Sequence, residues 1–286
     1  MIIRSYRHAQ EFLARIQPVL EENEISNSLM LGLSMRLAQN PDHNSTIFRS
    51  IHDELGVIAA AMQTPARGLL VYAHRPDVTD AFSMIVADYF QNHRNPIGVV
   101  GPKTIAQRFA QLWQVVSGEE PRIFQNQRLY QCTAVTNFDL VPGKLRKAFK
   151  KEIPMLIDWA MEFSKFTPEN PTEAALEKAL HNDIENGSLF VWTEANQAVC
   201  MLKKNRPTTS TIAISYVFTP KELRGRGYAT AAVHTLTNRL LKEGYKACTL
   251  FTDLNNPTAN GIYQRIGYQP VVDIDNYLFS SGKNRK

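Results

Sequence analysis

Apolar residues at Ala229, Ala232, Val233, Leu236 and Leu240 follow the i, i+3, i+4, i+7 spacing of one buried helix face. Lys242 in the last turn and Gly244 just beyond it are expected end signals for that helix. Around it the C-terminal half alternates short β-rich runs with helical stretches. A strand is expected near Lys144–Phe149, a helix from Pro154, and a second helix from Thr172 to Asn186. A hairpin pair follows at Leu189–Glu194 and Ala198–Lys204, then a strand at Thr211–Phe218. After the amphipathic helix come a strand at Lys246–Thr252, a short helix from Pro257, and a last strand at Val271–Phe279.

The N-terminal half predicts a similar order. Helices are expected at Ala9–Leu20 and Ser26–Leu37, and strands at Thr46–His52, Gly56–Gln63 and Gly68–His74. A helix at Thr79–Gln91, a strand at Pro96–Gly101, a helix at Thr104–Ser117 and one or two strands within Arg122–Val135 complete it. The two halves share the order α-α-β-β-β-α-β-α-β without visible sequence identity. The expected fold class is α/β (α+β), with two tandem domains of one architecture, each a mixed sheet flanked by helices. The junction is placed at Val141-Pro142-Gly143, giving domains 1–140 and 141–280 and a frayed tail at 281–286.

Composition adds limits. A chain of 286 residues, 44% hydrophobic and 21% charged, is comfortable for two globular domains. The three cysteines, Cys132, Cys200 and Cys248, have no short spacing and lie in apolar runs, so buried thiols are expected and a metal knuckle is not. The first residues lack a long apolar leader, and runs such as Gly56–Met62 are too short to span a bilayer, which favours a cytoplasmic protein without a membrane partner. A net charge of +5 mildly favours anionic ligands, but no nucleic-acid recognition motif accompanies it.

The chemistry concentrates between Thr211–Phe218 and the amphipathic helix. The connecting loop carries Arg224-Gly225-Arg226-Gly227-Tyr228-Ala229-Thr230. Glycines let backbone N–H groups converge, a helix start adds unpaired donors and partial positive charge, and two arginines add formal charge. Such a loop suits a pyrophosphate. It lacks the Gly-Lys-Ser/Thr of a Walker loop and the three spaced glycines of a dinucleotide fingerprint. About thirty residues on, Asn256 is a natural N-cap, Pro257 a natural first helical residue, and Gly267 a helix stop. Asn260 and Tyr263 are three apart and share a helix face.

The two segments together resemble the GNAT (GCN5-related N-acetyltransferase) family. Its acetyl-CoA loop, Arg/Gln-x-x-Gly-x-Gly/Ala, is matched by Arg224, Gly227 and Ala229. Its later segment, Asn-x-x-Ala-x-x-x-Tyr followed by Gly-aromatic, is matched by Asn256, Ala259, Tyr263, Gly267 and Tyr268. The resemblance covers about Lys144–Phe279.

It implies an acyltransferase with acetyl-CoA as cosubstrate and no metal. The expected cofactor-binding residues are Val217, Phe218, Thr219, Arg224, Gly225, Arg226, Gly227, Tyr228, Ala229, Thr230, Asn256, Asn260 and Tyr263. Strand residues Tyr216–Thr219 would pair with the pantetheine arm, and the backbone N–H near Val217 would face the developing oxyanion. Tyr263 is the expected catalytic acid for the departing thiolate. The acceptor would be a small-molecule or peptide amine. Glu222, Glu162, Asp253, His234 and a water relay stay open as bases, with His234 favoured as a surface or packing residue, and a homodimer is left open. The N-terminal half departs from the pattern: Ala73–Asp80 has no glycine and no matching arginine, so only the C-terminal half is expected to hold CoA. A non-catalytic acyl-CoA sensor or scaffold is the alternative function.

Overall fold

A computed structural model describes residues 1–39, 45–75, 77–167 and 171–280. The expected tail at 281–286 lies outside the described residues. The chain divides into two compact units. The first comprises Met1–Leu129, Asp253–Asn255 and Val271–Lys286, and the second Tyr130–Thr252 and Asn256–Pro270.

The first unit opens with a strand the hydropathy pattern did not reveal, β1 (Ile2–Tyr6), which pairs antiparallel with β2 (Ile47–Asp53). Between them run α1 (Ala9–Glu21) and α2 (Ser28–Gln39). β3 (Gly56–Gln63), β4 (Leu69–Ala73), α3 (Thr79–Gln91), β5 (Gly98–Pro102) and α4 (Lys103–Ser117) follow, close to expectation. The Arg122–Val135 region, expected to hold one or two strands, forms one, β6 (Glu120–Cys132).

The second unit contains β7 (Lys144–Lys147), α5 (Ile153–Ser164), α6 (Glu173–Glu185), β8 (Leu189–Glu194), β9 (Gln197–Asn205) and β10 (Thr211–Phe218). It continues with α7 (Tyr228–Lys242), β11 (Ala247–Asp253) and α8 (Pro257–Ile266). Its strands lie in the order β11-β10-β9-β8-β7, with β10 and β11 parallel and the other neighbours antiparallel. One face of this sheet packs under α7 and α8 through Phe190, Ile212, Ile214, Leu236, Tyr263 and Tyr268. The other packs under α5 and α6 through Leu156, Leu180, Val191, Met201 and Phe218.

The last strand, β12 (Gln269–Ser280), departs from the expected domain at 141–280. It pairs antiparallel with β5, Ile274 opposite Pro102 and Leu278 opposite Gly98, and so falls mostly in the first unit. The first unit's strand order is β1-β2-β3-β4-β5-β12. Gly98 explains the close fit: a Cβ there would lie 1.9 Å from the Tyr277 carbonyl oxygen. A strand's own residues show that it is a strand, but its partner lies far away in sequence.

Candidate active site

The site grows from a defect in β10. The β9–β10 ladder is irregular between Ser215 and Phe218, and Tyr216 there adopts φ +60°. A left-handed tyrosine is unusual and marks a β-bulge, in which an extra residue leaves the ladder. Tyr216 is held by edge packing on Phe163, with ring centroids 4.7 Å apart. On the other side, the parallel ladder with β11 covers Thr211–Ala247, Ile212–Cys248 and Ala213–Thr249. Both strands run on past that last pair, to Phe218 and Asp253. The end of β10 therefore carries backbone groups that the ladder with β11 does not use, which unpaired strands can offer to an extended ligand.

Beyond β10 the chain makes a short turn at Lys221–Leu223 and enters α7. Arg224 Nε donates to the Thr219 carbonyl at 2.9 Å, and its guanidinium stands 5.7 Å over the Phe218 ring. Arg226 donates to the Glu222 carbonyl at 3.3 Å. Both arginines remain exposed. Gly227 is the N-cap of α7 with φ +82°, and a Cβ there would come within 2.9 Å of a Val141 methyl. Only glycine meets both demands. The first-turn N–H groups of Tyr228, Ala229 and Thr230 precede any intrahelical acceptor, so with the exposed arginines they form a cluster of donors of the kind an anion can accept from. Tyr228 is itself buried, and its hydroxyl donates to the Glu194 carboxylate.

The second expected segment also forms. Asn256 caps α8, its side chain accepting from the Ala259 N–H at 3.0 Å. Asn260 Nδ2 donates to the Asn256 carbonyl at 2.8 Å, and Asn260 Oδ1 accepts from the Tyr130 hydroxyl at 2.9 Å. The side-chain groups expected along the pantetheine arm are thus already engaged in holding α8. Gly267 ends the helix with φ +115°, where a Cβ would lie 2.7 Å from the Ala134 carbonyl oxygen. Tyr263 is 8% exposed and packs edge-on against Tyr268 at 6.0 Å. Burial, and then the neighbouring Cys200 thiol, raises its phenol well above the usual value. Burial pushes Cys200 up to about 12, with Thr219 and the Phe218 backbone beside it. Cys200 and Tyr263 belong to one buried cluster, and Val217 of β10 packs against it.

The residues considered as bases fare differently. Glu162 is ion-paired with Lys165, and Glu222 is exposed on the turn. Asp253 Oδ1 accepts from the Asn255 N–H at 2.8 Å. His234 is 8% exposed, with Nε2 3.0 Å from the Thr136 carbonyl and its ring edge-on to Phe138 at 5.1 Å, which is a packing role. All three cysteines are buried, as expected. Among the described residues no group of three or more His, Cys, Asp or Glu is placed to share a metal, and no helix is long and apolar enough to cross a membrane. Three features escaped the sequence: the Tyr216 bulge, the Glu194 partner of Tyr228, and the Tyr130 tie to Asn260. Each depends on a partner distant in sequence.

The family model described as Acetyltransferase (GNAT) family matches residues 153–268, spanning the bulged strand, the arginine–glycine loop and α8. These residues form a GNAT-family domain. The fold is shared along nearly the whole chain. A GNAT-family acetyltransferase from Colwellia psychrerythraea aligns with TM-score 0.63 at 14% identity, covering 98% of this chain and 100% of its own. A GNAT protein from Sphaerobacter thermophilus aligns with TM-score 0.65 at 13% identity, covering 96% and 94%. A tandem GNAT protein from the clavulanic acid biosynthesis pathway aligns with TM-score 0.58 at 10% identity, covering 99% of each chain. At these identities the likeness is one of fold. No curated protein sequence matches this chain.

Proposed function

We propose that the chain is an N-acyltransferase that moves an acetyl group from acetyl-CoA to a primary amine by direct attack, within the second unit. The observation that carries this reading is the sequence of three features along one stretch of chain. A bulged strand end leaves its neighbour's ladder, a glycine–arginine cradle follows at a helix start, and a buried phenol lies in the core cluster against which Val217 of that strand packs. In this reading the amides from Arg224 to Thr230 hold the pyrophosphate, and the backbone of Val217, Phe218 and Thr219 pairs with the pantetheine arm.

The acceptor nitrogen attacks the thioester carbonyl carbon as the neutral amine. The Val217 N–H faces the developing oxyanion. When the tetrahedral intermediate collapses, the carbon–sulfur bond breaks. The departing sulfur takes the Tyr263 proton, the proton lost by the amine passes to solvent, and solvent returns a proton to the phenolate. A buried phenol with a raised pKa stays protonated at neutral pH, and the same desolvation disfavours a free thiolate, so the proton moves to sulfur as the carbon–sulfur bond breaks.

The first unit supports a single CoA site. Its β3–β4 ladder runs from Ala59–Ala73 to Met62–Leu70 without a bulge. Its β4 and β5 approach so closely that a Cβ on Gly101 would lie 2.8 Å from a Val71 methyl and 3.1 Å from the Val71 carbonyl oxygen. After β4, Arg75 is committed to Asp53 through two bonds of 2.5 and 2.8 Å. Among the described residues from 73 to 80 there is no glycine.

The test is release of free CoA thiol from acetyl-CoA across a panel of amino acids, polyamines, aminoglycosides and peptides. The account expects release that depends on one class of amine. A protein that binds acetyl-CoA yet releases no CoA with any amine would be a sensor or scaffold instead.

A further inference from the structure

Glu194 lies outside every expected site, yet it touches the loop on which the proposed function depends. It ends β8, where the β8–β9 ladder closes with Glu194 opposite Gln197. The two residues between them, Ala195 and Asn196, have φ +46° and +64°. Two left-handed residues joining paired antiparallel strands are the signature of a tight two-residue hairpin, so Glu194 is presented from a stiff support. Its carboxylate accepts a hydrogen bond from the Tyr228 hydroxyl, 34 residues further along the chain. Tyr228 is 4% exposed and is the first residue of α7, directly after the left-handed Gly227. The contact matters to the phenol: its pKa is raised first by the bond to Glu194 and then by burial, while Arg226 pulls the other way.

We propose that Glu194 is a positioning residue for the pyrophosphate cradle, a reading that rests on the CoA site assigned above. An anion next to an anion-binding loop is unfavourable unless it does something else. Here it fixes the side chain of the residue that begins α7. Gly225 and Gly227 give the loop its shape but also its freedom, since glycine restricts the backbone least. The hydroxyl–carboxylate bond removes that freedom from one end of the loop. The N–H groups of Tyr228, Ala229 and Thr230 are thereby held in a common direction before the pyrophosphate arrives, and preorganisation of this kind appears in binding rather than in chemistry.

The experiment compares acetyl-CoA with S-acetylpantetheine, which keeps the thioester and the pantetheine arm but lacks the pyrophosphate, using wild type, Glu194→Gln and Glu194→Ala. Loss of a charge-assisted hydrogen bond should raise the acetyl-CoA KM of Glu194→Ala about tenfold, with kcat within about twofold. Glu194→Gln keeps an acceptor oxygen and should raise it less. Turnover of S-acetylpantetheine should be unchanged in both variants. Equal losses with both thioesters would mean that Glu194 only supports the fold, and unchanged acetyl-CoA kinetics in Glu194→Ala would mean that the contact positions nothing; either overturns the proposal. A wild type that fails to bind acetyl-CoA would instead refute the CoA site beneath it.

Discussion

The Tyr130 hydroxyl donates to Asn260 Oδ1 at 2.9 Å, tying a residue 130 positions earlier in the chain to the helix that carries Tyr263. Tyr130 is 1% exposed and Asn260 is half-buried, so the bond is screened from water at its Tyr130 end. Tyr130→Phe should leave Asn260 Oδ1 short of its buried donor and cost about 1–2 kcal/mol. Chemical denaturation measures that cost. The thiol-release assay should show a lower kcat, because α8 loses one of the contacts that place the phenol.

Tyr263→Phe keeps the ring and its packing on Tyr268 while removing only the transferable proton. A positioned general acid is worth about 10²–10⁴ in rate. The variant should lose at least about 10²-fold in kcat and keep its acetyl-CoA KM within about twofold. Unchanged turnover would remove Tyr263 from the mechanism.

Gly227→Ala introduces a methyl where φ is +82° and a Val141 methyl already stands 2.9 Å away. The strain falls on the cradle itself. The acetyl-CoA KM should rise at least tenfold, with a stability loss of about 1–2 kcal/mol. Gly225→Ala is the contrast: its φ is +79°, but nothing stands within 4 Å of the added methyl, so its effect should be smaller. Steady-state kinetics on both variants read this directly.

Burial pushes Cys132 up to about 11, and Cys200 and Cys248 up to about 12, from an ordinary value of 9.0. A raised native pKa contributes stability that is fully present below the unfolded value and is lost as pH rises through the folded one. The second unit should therefore lose stability progressively between about pH 9 and 12. At pH 8 the native protein should resist iodoacetamide at all three thiols while the unfolded chain reacts at each. Mass spectrometry of labelled protein counts them.

Much of the architecture could be read from periodicity, because each helix stripe and strand run is local. α7 and its loop are the clearest case: the apolar spacing, the glycines and the closing Lys242 and Gly244 all lie within one stretch. What could not be read depends on distant partners. β1 is short and mostly exposed, so its residues carry little apolar signal. β12 reads as a strand wherever it pairs, and its pairing with β5 is invisible locally. Tyr216 carries no mark of its left-handed backbone, because tyrosine is not a residue that favours one. Asn256 caps α8 as its position before Pro257 suggests, but the brace from Tyr130 to Asn260 could not be read, because Tyr130 lies far off in the chain.

Isothermal titration with acetyl-CoA counts the CoA sites on the chain. One site per chain is expected, abolished by Gly227→Glu, which places a carboxylate and a side chain in the cradle. Two sites per chain, or one site that survives Gly227→Glu, would contradict it.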